Sequence, residues 1–392
     1  MSALWHLVTG EYPPGGGGVG EYTRALALAL AAEAREVHVW AGRQGTGDRG
    51  QGTAGGPGGA SSGGGVTVHP ARGFGAAGLR EMGRALDRFP SPRRLLVQYA
   101  PQAFGMRGMN VSFCRWVLGR ARRGDEVRVM FHEPYVEFSP AHPARNLIAA
   151  ANRVMAMLLL RAASVAYVST PAWERLLRPW APRRLGPMPW LPIPSTVPFT
   201  EDPGEVARVR VELGAGRPGV HVVGHFGTYG GMIGPLLEPV LRAVLSSPSR
   251  SVALLLGEGG PAFAARLEED PALKGRVAAP GRLPPGRLSV QLQACDLALQ
   301  PYPDGVTARR TTVMAALASG VATLTTAGRF TEDEWRRGPV PLCPAGDAAA
   351  MAAAALDLLD DAERRRRLAA AGRDFYERHF AMERTLDLLL ER

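Results

Sequence analysis

The sequence predicts an α/β protein made of two doubly wound, Rossmann-like domains facing across a cleft. Three observations point there. Short apolar runs alternate with helical periodicity through both halves of the chain. The alternation lapses once, in a proline-dense run holding Pro179, Pro182, Pro187, Pro189, Pro192, Pro194 and Pro198. Proline neither donates to a strand ladder nor continues a helix, so this run reads as an extended connection. Finally, 392 residues suffice for two domains that each bury a core.

In the first half, residues 4–9 form an apolar run suited to a buried parallel strand. Residues 22–34 have helical periodicity, and 36–41 read as a second strand with Val37 and Val39. From 43 to 65 the chain is Gly, Ser, Gln and Thr with almost nothing to bury, which predicts a flexible inserted loop. Strands follow at 66–69, 95–99, 127–131 and 165–169, alternating with helices at 78–89, ending at 115–123, at 147–162 and at 172–177. The second half repeats the pattern. Strands are expected at 220–226, 252–256, 276–278, 297–300 and 321–325, and helices at 234–245, 261–268, 288–294 and 312–319. Helices at 348–371 and 373–391 close the chain. The expected domains are 1–195, 196–375 and a C-terminal helix, 376–392, packing back on the first domain.

Composition restricts the chemistry. Lys+Arg is 46 against Asp+Glu 36, yet the only lysine is Lys274. Every other basic residue is arginine, so no glycine loop carries a phosphate-binding lysine. Anions must be held by arginine, backbone amides or helix ends. The net charge of +10 is spread thinly, without a basic stripe interleaved with aromatics, so nucleic acid is not the expected partner. It suits an anionic small substrate or a membrane surface. The three cysteines, Cys114, Cys295 and Cys343, are scattered, with no CxxC pair. That pattern fits a reducing, cytoplasmic setting with no disulfide frame and no metal site. Residues 1–9 lack the basic start and apolar core of a secretion signal.

Three segments could carry chemistry. Glu11-Tyr-Pro-Pro-Gly-Gly-Gly17-Gly18-Val-Gly20 lies between the first strand and its helix, where amides and the helix end can approach a phosphate. It satisfies the spacing of the dinucleotide fingerprint, as any run of glycines would, but the acid that the fingerprint expects after the second strand is replaced by Ala41-Gly42-Arg43. Next, Phe131-His132-Glu133-Pro134 ends a strand, where open α/β sheets place ligands. His132 can donate there to a sugar hydroxyl or a developing charge. No second histidine at helical spacing makes it a zinc site. The strongest segment starts at Leu297 and reads through Asp304-Gly305-Val306-Thr307-Ala-Arg309-Arg310-Thr311-Thr312 into a small-residue helix ending at Ser319-Gly320. Two arginines, three hydroxyls and free helix amides all favour an oxyanion.

These motifs, in this order, resemble the retaining glycosyltransferases of family 4, which have the two-domain B-type fold. The resemblance rests on the Gly17-Gly18-Val-Gly20 loop, the Asp304–Arg310 segment and the helix ending Ala-Ser319-Gly320 before Val-Ala-Thr. Leu256-Gly-Glu258-Gly259 and Gly281-Arg-Leu283 match as punctuation, so it spans nearly the whole chain. It implies transfer of a sugar from a nucleotide donor, UDP- or GDP-linked, with retention and without a metal ion. The nucleotide sugar would be a co-substrate and no cofactor is expected. Gly17, Gly18 and Gly20 would lie near the donor phosphates, and His132 beside the transferred sugar. The loop from Asp304 to Thr312 would hold sugar and diphosphate, with Glu133, His225 and Glu258 as further candidates. The acceptor, whether a saccharide, a lipid-linked glycan or a small molecule, would sit on the N-terminal domain.

The chain also departs from the family. The second of two glutamates seven residues apart falls at Ala315, which leaves ribose without a partner. The usual arginine and lysine after the second domain's first strand are absent from Val223-Gly-His225-Phe-Gly-Thr-Tyr-Gly230. The diphosphate charge would then fall to Arg309 and Arg310, with help from His225. A non-catalytic glycosyltransferase-like subunit is the alternative that these departures motivate. An NADP-dependent oxidoreductase using the glycine loop and Arg43 would leave the arginine loop unexplained. Residues 147–160, with Arg153 and Arg161, read as a buried helix but leave a peripheral membrane contact open.

Overall fold

The computed structural model describes residues 4–14, 17–42, 61–216, 219–248 and 250–391. It divides into two compact units, 1–191 with 385–392, and 192–384.

The first unit runs β1 (Trp5–Thr9), α1 (Gly18–Ala32), β2 (Val37–Gly42), β3 (Ser61–Gly63), β4 (Val66–Ala71), α2 (Ala76–Leu86), β5 (Arg94–Tyr99), α3 (Val111–Arg122), β6 (Glu126–Phe131), α4 (Pro143–Ala162), β7 (Val165–Val168) and α5 (Pro171–Leu177). Its sheet has the order β3-β4-β2-β1-β5-β6-β7 and is parallel except where β3 pairs antiparallel to β4. β1, β5 and β6 are almost wholly buried, as strands covered on both faces must be. Of the loop expected at 43–65, residues 43–60 lie outside the described residues. The rest is not loop: 61–63 form β3, and Gly64 and Gly65, with φ +59° and +79°, turn the chain into β4. A two-glycine turn between antiparallel strands needs that backbone.

The second unit runs α6 (Pro203–Glu212), β8 (Val220–Phe226), α7 (Gly234–Ser246), β9 (Arg250–Leu256), α8 (Gly260–Leu267), β10 (Val277–Gly281), α9 (Pro285–Gln293), β11 (Leu297–Gln300), α10 (Thr311–Ala318), β12 (Thr323–Ala327), α11 (Asp333–Arg337), β13 (Leu342–Pro344), α12 (Ala348–Asp360) and α13 (Ala362–His379). Its six strands are all parallel, in the order β10-β9-β8-β11-β12-β13. The two closing helices expected from sequence are three. Asp361 caps α13 through Arg364 N, and α14 (Met382–Leu390) crosses from the second unit into the first. Inside the first unit, Arg128 donates to Leu389 O and to the Glu391 carboxylate as well as to Glu126 and Tyr167.

Both sheets share one device. The first strand sits mid-sheet, and the chain winds outward first on one side and then on the other. The strand order therefore reverses between β1 and β5, and between β8 and β11. Loops leaving the C-terminal ends of such strands diverge and open a crevice.

Candidate functional site

In the second unit that crevice is a cavity of about 200 Å³ between the loops that follow β8 and β11. Its walls include His225, Arg309, Arg310, Thr311 and Thr312 from the sequence reading, joined by Gln300 and Tyr302. α10 starts at Thr311, so its first amides lie at the cavity wall with Arg310 as the capping residue. No side chain caps this helix end.

A chain of hydrogen bonds holds the wall. Thr312 Oγ1 lies 2.7 Å from the Tyr302 hydroxyl, which donates to Gln300 Oε1 at 3.2 Å. Gln300 Nε2 in turn donates to Phe226 O at 3.2 Å, tying the end of β11 to the end of β8. The Arg310 guanidinium stacks over the Tyr302 ring at 4.7 Å, and its Nε is buried without a hydrogen-bond partner. Burial pushes the Tyr302 phenol up to about 12, so it is a neutral donor near pH 7. Neither Tyr302 nor Gln300 carries a motif; each acquires its place through packing between neighbouring strands.

His225 does not supply the positive charge expected of it. Burial lowers its pKa to about 4, outweighing the opposing pulls of the Leu299 and Thr228 backbone. Nδ1 donates to Leu299 O at 2.8 Å, and Nε2 is buried with no hydrogen-bond partner. The ring is neutral near pH 7.

The first part of the Asp304–Thr312 segment turns away from the cavity. Asp304 accepts from Arg329 Nε at 3.1 Å. Val306 N donates to Thr326 O at 2.7 Å, and Val306 is fully buried. A Cβ on Gly305 would come within 2.1 Å of Gly328 N, so this turn is packed onto the loop after β12. Thr307 is buried, and its hydroxyl has no partner. Glu332, a buried acid that no motif singled out, accepts from Ala308 N at 3.2 Å. Asp304, Gly305, Val306 and Thr307 therefore shape the loop, while Arg309 to Thr312 line the cavity. Glu258, after β9, is exposed and is not part of the lining.

In the first unit the glycine loop is already occupied. Glu11 Oε1 accepts from Val19 N at 3.1 Å, and the Gly20 amide also bears on this carboxylate. A Cβ on Gly17 would fall 2.1 Å from Glu11 Oε2. Burial raises the Glu11 pKa against these amides, and the charge of nearby Glu133 raises it further. Of the loop expected near donor phosphates at Gly17, Gly18 and Gly20, the Val19 and Gly20 amides are thus taken by the chain's own acid. His132 is buried at the end of β6. Its Nε2 lies 2.7 Å from Gln98 Oε1, which places a ring proton on Nε2, and the Tyr22 ring meets it edge-on at 5.1 Å. The His132 carbonyl accepts from Ser169 Oγ and Trp173 Nε1, so its backbone is pinned as well.

Two parallel α/β sheets with this strand order, and a polar, arginine-lined crevice at the second, define the fold class of the B-type glycosyltransferases. Solved structures carry the same fold through the whole chain. Sucrose-phosphate synthase from Thermosynechococcus elongatus superposes with a TM-score of 0.70 at 17% identity, over 99% of this chain and 98% of that one. HepE of Anabaena, in complex with UDP and glucose, gives 0.64 at 15% identity, over 99% and 98%. An α,α-trehalose-phosphate synthase (UDP-forming) from Burkholderia vietnamiensis gives 0.64 at 14% identity, over 100% and 96%. No protein-family model matches the sequence, and no curated protein does.

Proposed function

We propose that the protein is a retaining, hexosyl-type glycosyltransferase that moves a sugar from a UDP- or GDP-linked donor to an acceptor. The observation that carries this reading is the cavity at the β8–β11 switch point, with Arg309, Arg310 and the N-terminus of α10 around it. The structural likeness to HepE, which has been solved with UDP-glucose, supports it. Arg309 and Arg310 would neutralise the leaving nucleoside diphosphate, with Thr311, Thr312 and the helix amides adding hydrogen bonds. Arginine and amide dipoles provide the charge stabilisation in this scheme, and we assign no role to a metal or cofactor. His132, its ring fixed by the Nε2 hydrogen bond to Gln98, would position the transferred sugar. Three free, buried cysteines suit work in the cytoplasm.

The test is release of nucleoside diphosphate from a panel of UDP- and GDP-sugars with saccharide, lipid-linked and small-molecule acceptors. Product anomers would be read by NMR. Absence of donor binding across the panel would overturn the reading. Ala315, buried on α10 where the resemblance expects a glutamate, favours a second reading, a donor-binding subunit without turnover. Donor binding with no release would select it.

A further inference from the structure

Helix α4 is apolar on the wrong side as well as the right one. Its core face buries Ala149, Met155, Ala156, Leu159 and Leu160. The opposite face, read at 3.6 residues per turn, carries Leu147, Ala150, Ala151, Val154 and Met157, while Leu158 packs against the core. Leu147 is 68% exposed and Val154 41%. The helix's polar side chains are turned back onto the protein: Asn152 donates to Gly108 O, and Arg153 donates to Val136 O and stacks on Tyr135 and Phe138. Arg153 so holds Phe138, itself 53% exposed, against this helix.

The charges on the stripe's own helix have one sign, with Glu137 an exposed acid on the neighbouring loop. α4 holds Arg145, Arg153 and Arg161 and no carboxylate, and Glu174 is the only acid between Pro143 and Trp190. Arg161 ends the stripe and also lines a cavity of about 520 Å³ with Arg122 and Arg184. Asp125, the one carboxylate in that lining, is already held by Arg93 and Arg120 at 2.8 and 2.5 Å. Among the described residues no hydrogen bond engages the Arg122 or Arg161 guanidinium.

We propose that this face docks the protein on an anionic lipid bilayer. α4 would lie in the headgroup plane with its stripe in the acyl boundary, and the Arg122–Arg161–Arg184 cavity would receive lipid phosphate. Charge decides the occupant. A two-fold contact with a second copy would set Arg145 and Arg161 of one chain against those of the other, whereas a lipid phosphate surface complements them. The stripe is about 16 Å long and one-sided, which suits lying on a membrane. Among the described residues no helix is long and apolar enough to cross one.

The full chain would be co-sedimented with vesicles of phosphatidylcholine alone and of phosphatidylcholine with an equal part of phosphatidylglycerol. Binding to the mixed vesicles is expected, weakening with salt. The double substitution Leu147→Glu, Val154→Glu should weaken it about tenfold or more. Arg161→Glu should weaken it too, and Val211→Glu, an exposed position on α6 of the second unit, should leave it unchanged. Circular dichroism melts would verify that each variant folds, and Arg122→Ala with Arg161→Ala provides a milder pair. The idea fails if the mixed vesicles bind no more protein than phosphatidylcholine alone, or if the stripe variant binds as well as the parent. It also fails if the stripe mediates self-association or holds another protein while lipid binding is absent.

Discussion

The two units present the same local architecture at their switch points, a loop leading into a helix N-terminus, and use it in different ways. At α1 a carboxylate from the chain, Glu11, fills the amide cradle, so the position is satisfied before any ligand arrives. At α10 no carboxylate does this, the Val313 amide meets the neutral Tyr302 hydroxyl, and two arginines line a cavity. A glycine-rich loop gives a backbone the freedom to approach an anion but says nothing about whose anion it is. Here Glu11 holds the glycine-rich loop, while the arginine-rich loop lines a cavity.

The largest expected effect is at the open helix end. Arg310→Ala should lower donor turnover by about 100- to 1000-fold while the melting temperature holds, because charge stabilisation of a leaving group is lost. Normal steady-state rates in a folded variant would remove Arg310 from the mechanism. Tyr302→Phe should cost about tenfold, roughly one hydrogen bond from the chain that holds Thr312 against Gln300; an unchanged rate would mean the wall needs no such brace.

With pH the comparison closes, because both units bury histidines. In the first unit burial lowers His6 to about 3 and His69 to about 4, where His6, His38 and His69 lie on adjacent strands; in the second unit His225 is lowered to about 4. These rings are neutral when folded, so only the unfolded chain takes up their protons as pH falls below about 6.5. Stability is present above that pH and is lost progressively toward pH 4. Burial lowers His221 and His379 of the second unit as well, so both units should loosen over this range, and limited proteolysis at pH 7.5 and pH 5 would show whether new cuts fall on both sides of residue 192. The least effect is expected from Glu11→Gln. Donor affinity should stay within about twofold and stability should drop by no more than about 1 kcal/mol. A marked gain in donor affinity would mean that the cradle is a ligand site held shut by Glu11.

Much of the fold is legible because buried parallel strands are continuous apolar runs: β8 and β11 fall where the residues place them. What the residues concealed has physical reasons. α6 buries only Val209, so it has little periodic signal beyond its Asp202 cap. β13 is three residues long and ends in a proline. The break between α12 and α13 depends on Asp361 turning back to cap, which a helix-favouring run of Ala, Leu and Arg hides. At the site, Arg309 to Thr312 were readable because charge and hydroxyls cluster in sequence. Tyr302, Gln300, Glu332 and Gln98 were not, since each acts on a partner brought close by the sheet. Glu11 was written beside the glycines, but its role depends on a side chain folding back eight residues.

The last residues of α14 give the order of synthesis a structural meaning. Arg128 finds Glu126 and Tyr167 early, but Leu389 O and Glu391 emerge only after the whole second unit. On a ribosome that interval is about 10–40 s. For that time a nascent first unit has its sheet but not its final latch, while the second unit can fold from one uninterrupted stretch.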